Sequence, residues 1–325
     1  MSGYRLVVRQ PGGPEAIERE EWSPAAPAAG ELLIRHEAIG VNFIDIYHRT
    51  GLYPLPLPTG LGSEAAGVVE AVGEGVSDFA AGDRVAYFHP SRGGYATHGI
   101  APAERVLPLP EGISTETAAA SLLKGCTAEM LVERCAKLQA GQSVLIHAAA
   151  GGVGSLLVPW CKALGVTVIA HTGTPEKAAL ATAAGADHAL YGSMDELAPA
   201  VRALTGGRGV DVVLDGVGAA SWAASLASTA RRGLIASYGN ASGPVPPFSP
   251  LDLGRAGSLF LSRPSLFDYI VTPEELRASA ARLFAMIEQG AVPVTIGARF
   301  PLADAADAHR ALESRRTTGS VILEP

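Results

Sequence analysis

Cysteine is scarce: Cys126, Cys135 and Cys161 are the only three in a chain of 325 residues. They form no CxxC pair and no finger-like spacing, and three thiols cannot build a four-cysteine structural zinc site. An odd, sparse set fits a reducing compartment, and all three read as small buried hydrophobes. Positive charge is short as well. Lys and Arg number 25 against 32 Asp and Glu, a net charge of −7, which argues against the concentrated basic face of a nucleic-acid binder. Long apolar runs are missing: the alanine-rich segments are broken by Gly, Pro and charge before they reach spanning length. The opening MSGYRLVVRQ has no signal-peptide core. These absences argue against a disulfide scaffold, a membrane span and an exported chain, and a cytoplasmic globular protein is expected.

What is present suffices for packed cores. Hydrophobic residues make up 48% and charged residues 18%, and a chain of this length divides into domains. The first third reads as β-rich. Glu31–Gly40 mixes strand formers with polar residues, Gly67–Val72 reads as a strand ending in the turn Gly73–Gly75, Gly82–Val85 turns into another, and Gly93–Ala96 reads as one more strand start. Short strands with glycine punctuation suggest a barrel-like unit. Tyr53–Gly60, with three prolines, reads as a loop.

The period then changes. Val144–Ala148, Val166–His171, Asp187–Tyr191, Val210–Asp215, Gly233–Gly239 and Ser258–Ser262 read as six strands, most separated by helical stretches such as Thr174–Ala184 and Ser221–Ala230. Alternating strands and helices mean βαβ units and a parallel sheet, and two sets of three strands give a doubly wound α/β Rossmann arrangement. Near the end, Thr272–Gln289 reads as a helix: Thr272 caps it, Pro273 takes its first position and Glu275 completes a capping box.

The chemistry starts at Ala148–Gly154, AAAGGVG, between a strand and a helix. Read as Ala149-x-Gly151-x-x-Gly154, it is a GxGxxG variant whose small residues let the backbone approach a pyrophosphate at a helix N-terminus. A carboxylate about 20 residues on would hold the ribose 2′-OH of NAD. Counting from Gly151 reaches His171, there is no carboxylate until Glu176, and the loop offers Thr172, Gly173, Thr174 and Lys177. Hydroxyls, amides and an ammonium suit a 2′-phosphate, so NADPH is the expected cofactor. Tyr191 adds a phenolic donor at the end of the third strand. The plain alternatives are a solvated charge for Lys177 and simple packing for Tyr191. Catalytic zinc needs three protein ligands; Asn42, Ser63 and Glu64 offer no cysteine, His48, His89 and His98 are scattered, and His147 on the first Rossmann strand reads as a buried, hydrogen-bonded histidine. No metal is expected.

The runs Val41–Pro54, Gly62–Val76, Ala81–Val85, Ala118–Ala128, His147–Gly154, Ser237–Gly243 and Ser262–Leu266 together resemble the quinone oxidoreductases, including zeta-crystallin, of the medium-chain dehydrogenase/reductase superfamily. The resemblance spans essentially the whole chain. It implies a discontinuous chaperonin-10-like β-rich catalytic domain, residues 1–122 and 264–325, and a Rossmann domain, residues 123–263. Zinc-binding members have Gly-His-Glu where this chain has Gly62-Ser63-Glu64, and a cysteine near Asn42.

The resemblance also implies site residues. Asn42, Asp45 and Tyr47 line the nicotinamide and substrate cleft, and Lys124 and Thr127 lie near the domain junction. Gly151, Gly152 and Val153 hold the pyrophosphate, and Gly173, Lys177 and Tyr191 the 2′-phosphate. Gly216, Tyr238, Gly239, Asn240, Arg263, Ser265 and Arg315 make later cofactor contacts. The expected reaction is NADPH-dependent reduction of a quinone, with Tyr47 or Asn42 polarising its oxygen and with Tyr47 as an aromatic wall equally compatible. A reductase of conjugated enones and 2-alkenals is the rival within enzymes, and an NADPH-binding protein with an RNA-binding or structural role the rival outside them. The sixth Rossmann strand would leave an apolar edge, so a homodimer joined there is expected. Two departures stand out: Pro159, expected to distort the first Rossmann helix, and Glu129-Met130, where relatives tend to carry aromatics.

Overall fold

The computed structural model describes residues 3–88 and 93–325. His89 therefore lies outside the described residues. The chain divides into two compact units, Met1–Gly125 with Thr272–Glu288 and Val294–Pro325, and Cys126–Val271 with Gln289–Pro293.

The first unit is mostly antiparallel β-structure. A small sheet joins β1 (Gly3–Val8), β2 (Ile17–Trp22) and β4 (Thr59–Gly60). A seven-stranded sheet runs β15 (Ile296–Pro301), β16 (Ser320–Glu324), β3 (Glu31–Val41), β5 (Glu64–Val72), β6 (Arg84–Phe88) and β8 (Val106–Pro108), with β7 (His98–Pro102) also pairing β3. Leu32, Ile34, Ile39, Leu61, Val69, Val85, Val321 and Leu323 fill its core. Helix α1 (Phe43–Thr50) follows β3, α2 (Thr115–Glu129) leaves the unit, and α8 (Pro273–Glu288) and α9 (Ala305–Glu313) belong to its later segments.

Gly93–Ala96 does not start a strand. Gly93 turns at a φ of 122°, Ala96 makes a single bridge to Arg5, and the strand begins only at His98. The capping box at Thr272 is present: its hydroxyl accepts from Glu275 N at 3.3 Å and its N–H donates to the Glu275 carboxylate at 3.0 Å.

The second unit holds six parallel strands in the order β11 (His188–Tyr191), β10 (Thr167–Thr172), β9 (Ser143–His147), β12 (Val210–Asp215), β13 (Thr229–Ser237), β14 (Phe260–Ser262). Val144, Leu145 and Ile146 are fully buried because β9 lies mid-sheet with both faces covered. Their continuous apolar run marks that place. The connecting helices are α3 (Gly154–Ala163), α4 (Pro175–Ala183), α5 (Met194–Leu204), α6 (Trp222–Ser228) and α7 (Pro250–Arg255). Pro159 sits inside α3, and the helix runs on through it to Ala163. Among the described residues no helix is long and apolar enough to cross a membrane.

Cys126 and Cys161 are buried thiols outside any disulfide, as small hydrophobes would be; Cys135 departs from that reading, half-buried with its Sγ 3.7 Å from Ser262 Oγ.

Candidate active site

In the first unit, chemistry gathers where β3 gives way to α1. Asn42 caps α1, and its main-chain N–H donates to Asp45 Oδ2 at 2.9 Å. Asp45 is fully buried, and it also accepts the hydroxyls of Ser63 at 2.7 Å and Tyr95 at 3.2 Å. Burial pushes its carboxyl up to about 6, against the pull of Ser63, Asn42, Lys124 and Tyr95. The network continues outward: Tyr95 Oη lies 2.9 Å from His309 Nε2, His309 Nδ1 lies 3.0 Å from Arg49, and Arg49 pairs with Glu313 at 2.6 Å. Arginine only donates, so His309 Nδ1 accepts and its Nε2–H donates to Tyr95, whose own proton points to Asp45. Burial, then the Arg49 charge, brings His309 down to about 3, which keeps it neutral in this arrangement.

Glu64 joins the other side. Its carboxylate is fully buried; Oε2 accepts Asn42 Nδ2 at 2.9 Å and faces Lys124 Nζ at 3.5 Å, and Oε1 accepts the Leu123 N–H at 2.6 Å. Gly40 makes this approach possible. A Cβ there would stand 2.3 Å from Glu64 Oε2 and 2.3 Å from the Ala119 carbonyl of α2, so any side chain would prise helix and carboxylate apart. Tyr47, on α1, is buried with its ring edge-on to Tyr53 at 5.0 Å.

In the second unit the expected contacts fall on one edge of the sheet. Gly151–Val153 follow β9, Gly173 and Lys177 follow β10, Tyr191 ends β11, Gly216 follows β12, Tyr238–Asn240 follow β13, and Arg263 and Ser265 follow β14. All therefore stand at the carboxyl ends of parallel strands, where open α/β sheets bind ligands. The strand order reverses between β9 and β12, and that is where the glycine turn and Gly216 lie.

The turn after β9 is tight: Ala148 takes a φ of 50° and its carbonyl accepts Gly151 N at 2.9 Å, while a Cβ on Gly154 would stand 2.3 Å from that same carbonyl. Asp215, fully buried, shapes the loop after β12 by accepting Val217 N at 2.8 Å and Gly218 N at 3.1 Å, with Ser221 and Ser225 hydroxyls on the same carboxylate. His147 hydrogen-bonds Ser225 at 2.9 Å and is fully buried, as the sequence suggested. After β10, Thr174 caps α4 by accepting Lys177 N at 3.3 Å, which sets Lys177 in the first turn; burial lowers the pKa of its ammonium. Thr172 donates its hydroxyl proton to Thr174 O at 3.1 Å, so it serves the loop itself.

Asn42 thus joins Asp45 to Glu64, and Glu64 faces Lys124, with Tyr47 on the same helix as Asp45. Thr127 lies on α2, three residues beyond Lys124, and Arg315 follows α9 in the first unit. Ser63 and Glu64, which the sequence marks only as non-ligands, are the joints of the first-unit site. Their signal was the glycine at 40, whose missing side chain leaves room for the Glu64 carboxylate. Among the described residues no group of three or more His, Cys, Asp or Glu is placed to hold a metal ion. At the relatives' aromatic position, Glu129 is buried and bonded to Arg134 at 2.6 Å, across a π-helical turn over Met130–Cys135 that brings residues five apart onto one face.

Two family models match the chain: the alcohol dehydrogenase GroES-like domain over residues 28–111 and the zinc-binding dehydrogenase over residues 152–286. The chain is 48% identical over 322 residues to a quinone oxidoreductase of Pseudomonas aeruginosa, covering 99% of each. It is 41% identical over 327 residues to a 2-haloacrylate reductase of Burkholderia, covering 98% of each. Among solved structures, the Escherichia coli quinone oxidoreductase complexed with NADPH superposes with a TM-score of 0.95 at 44% identity, covering 99% of this chain and all of that one. With its GroES-like and Rossmann folds and relatives matched end to end, this chain is an oxidoreductase belonging to the quinone oxidoreductase family.

Proposed function

We propose that the protein reduces quinones with NADPH, by direct hydride transfer and without a metal. One observation carries the cofactor reading: six strand ends converge on one edge, with a glycine turn at the switch point and no carboxylate at the end of β10, the first one being Glu176 in the opening turn of α4 beside Lys177. Gly151–Val153 would meet the pyrophosphate at the start of α3. Gly173, Lys177 and Tyr191 would surround the 2′-phosphate. Gly216, Tyr238, Gly239, Asn240, Arg263 and Ser265 would hold the rest. When bound, NADPH supplies the hydride. Asn42 and Tyr47 would position the acceptor's oxygen in reach of it. Asp45 holds the Asn42 main chain and Ser63 in place.

The metal-free reading rests on the donor set. Asn42 and Ser63 offer neither thiolate, imidazole nor carboxylate, the groups that hold zinc, and the Glu64 carboxylate already accepts Asn42 Nδ2 and Leu123 N. A homodimer is part of the proposal. β14 is an edge strand with Phe260 60% exposed, and pairing with its symmetry mate would cover it. Light scattering at micromolar concentration tests this: a dimer mass is expected, and a monomer mass counts against it.

A second reading has its own support. The 2-haloacrylate reductase relative acts, by name, on a conjugated acid, and a conjugated carbonyl presents the same electrophile. Steady-state rates across 1,4-benzoquinone, substituted quinones and 2-alkenals, each with NADPH and NADH after chelator dialysis, separate these. Quinone turnover with NADPH in the dialysed enzyme is expected. Turnover confined to alkenals moves the assignment to the second reading, and activity lost with stoichiometric zinc overturns the metal-free claim.

A further inference from the structure

We propose that Lys124 is a catalytic residue: its ammonium meets the acceptor's oxygen, carries the charge that hydride transfer creates there, and gives that oxygen its proton. The inference rests on the NADPH-dependent reading above and adds the group that reading lacks, a cation at the reacting end.

Three observations point to it. First, Lys124 is only 5% exposed, a costly place for a long cationic side chain. Second, its one hydrogen-bond partner among the described residues is Glu64 Oε2, at 3.5 Å. That is beyond the usual 2.7–3.2 Å range of an N–H···O bond, and an ammonium has three N–H groups to place. Packing alone would favour an apolar residue, and a purely structural ion pair would close to contact. Third, Glu64 is otherwise saturated: Asn42 Nδ2 at 2.9 Å and Leu123 N at 2.6 Å hold the carboxylate still, with Gly40 left bare so that it fits. The carboxylate therefore fixes the Asn42 amide and the Lys124 ammonium side by side while fully satisfying neither. Asn42 Nδ2 keeps a second hydrogen and Lys124 keeps two. Two preorganised donors, one charged, are what an oxygen gaining negative charge needs.

The balance is as follows. NADPH is oxidised and the acceptor reduced: the hydride's electron pair forms a new bond to the conjugated system, and the displaced π electrons collect on the carbonyl oxygen. The Lys124 Nζ–H bond then breaks as the O–H bond forms, and the amine regains a proton from water. One proton is consumed per NADPH.

The test is a set of Lys124→Met and Lys124→Arg variants, with kcat and KM for 1,4-benzoquinone and its less electron-poor 2,6-dimethyl derivative, and with NADPH affinity from nicotinamide fluorescence. Lys124→Met is expected to lower kcat by about 10²-fold, the size of loss that removing one oxyanion donor brings. The loss in kcat should be larger for the dimethyl quinone, whose oxygen needs more stabilisation, and should exceed any loss of NADPH affinity. Lys124→Arg, which keeps the charge, should recover part of it.

If Lys124→Met strands the Glu64 charge and fails to fold, Glu64→Gln/Lys124→Met compared with Glu64→Gln reads the same quantity. Equal losses for both quinones, a loss lying in NADPH affinity, or unchanged kcat overturns the proposal. Wild-type enzyme that turns over neither quinone would instead sink the functional reading on which it stands.

Discussion

The two units would meet their ligands in opposite ways. In the first, the candidate site is made of buried side chains locked to one another: Asn42, Asp45, Ser63, Glu64 and Lys124 are all at most 7% exposed. In the second, it is made of backbone and loop ends: Gly173, Arg263 and Ser265 are exposed, and Tyr191 is 59% exposed. Its foundations, Asp215 and His147, are buried, as is Gly239. A site built from a hydrogen-bonded core couples function to stability; one built on strand ends lets contacts change with little cost to the fold. The first-unit residues should therefore fail together, and the second-unit residues one at a time.

The largest expected effect follows from that coupling. Asp45→Ala leaves the Ser63 and Tyr95 hydroxyls and the Asn42 N–H without their acceptor, at about 1–3 kcal/mol for each buried group left unpaired. Denaturant unfolding should show a loss of at least about 3 kcal/mol together with loss of activity. A variant as stable as wild type would break the comparison.

Next is pH. Burial brings His171 down to about 4, below its unfolded value. The folded state keeps it neutral, so its contribution is present above the unfolded pKa and lost as pH falls toward 4. His36 and His309 act in the same sense in the first unit. Asp45 opposes them: its folded pKa is raised to about 6, so its contribution is present at low pH and lost as pH rises through 6. His171→Leu should therefore flatten the fall in stability between pH 6.5 and 4, by up to about 1.4 kcal/mol per unit. An unchanged slope would mean that the ring protonates in place.

Smaller again is Tyr191→Phe. A neutral donor contributes about 0.5–1.5 kcal/mol, so NADPH should weaken by roughly 2- to 10-fold, with the fold untouched because the side chain is exposed. Matched dissociation constants for the two cofactors check it; no change returns Tyr191 to simple packing.

How much of this was legible in the sequence divides along the same line. The second unit's six strands, their turns and the residues after them follow from local patterns: apolar runs and glycine punctuation. Residues that act through neighbours in the chain can be found from the chain. The first-unit network cannot, because Asp45, Ser63, Tyr95 and His309 are joined only by the folded sheet and the return of α9. The reading of Gly93–Ala96 failed for a related reason: the glycines serve a turn that presents Ala96 to Arg5, a partner remote in sequence. Glu129 and Arg134 needed a π turn that no helical period announces.

The central claim, that the loop after β10 selects NADPH, is tested most directly by dissociation constants for NADPH and NADH in wild type and Lys177→Ala, from nicotinamide fluorescence. A hydrogen bond to a charged group contributes roughly 1.5–3 kcal/mol, so NADPH should weaken by roughly 10- to 150-fold while NADH, which has no phosphate to lose, stays nearly unchanged. Equal weakening of both cofactors would assign Lys177 to the fold or the pyrophosphate, and no change in either would contradict the account.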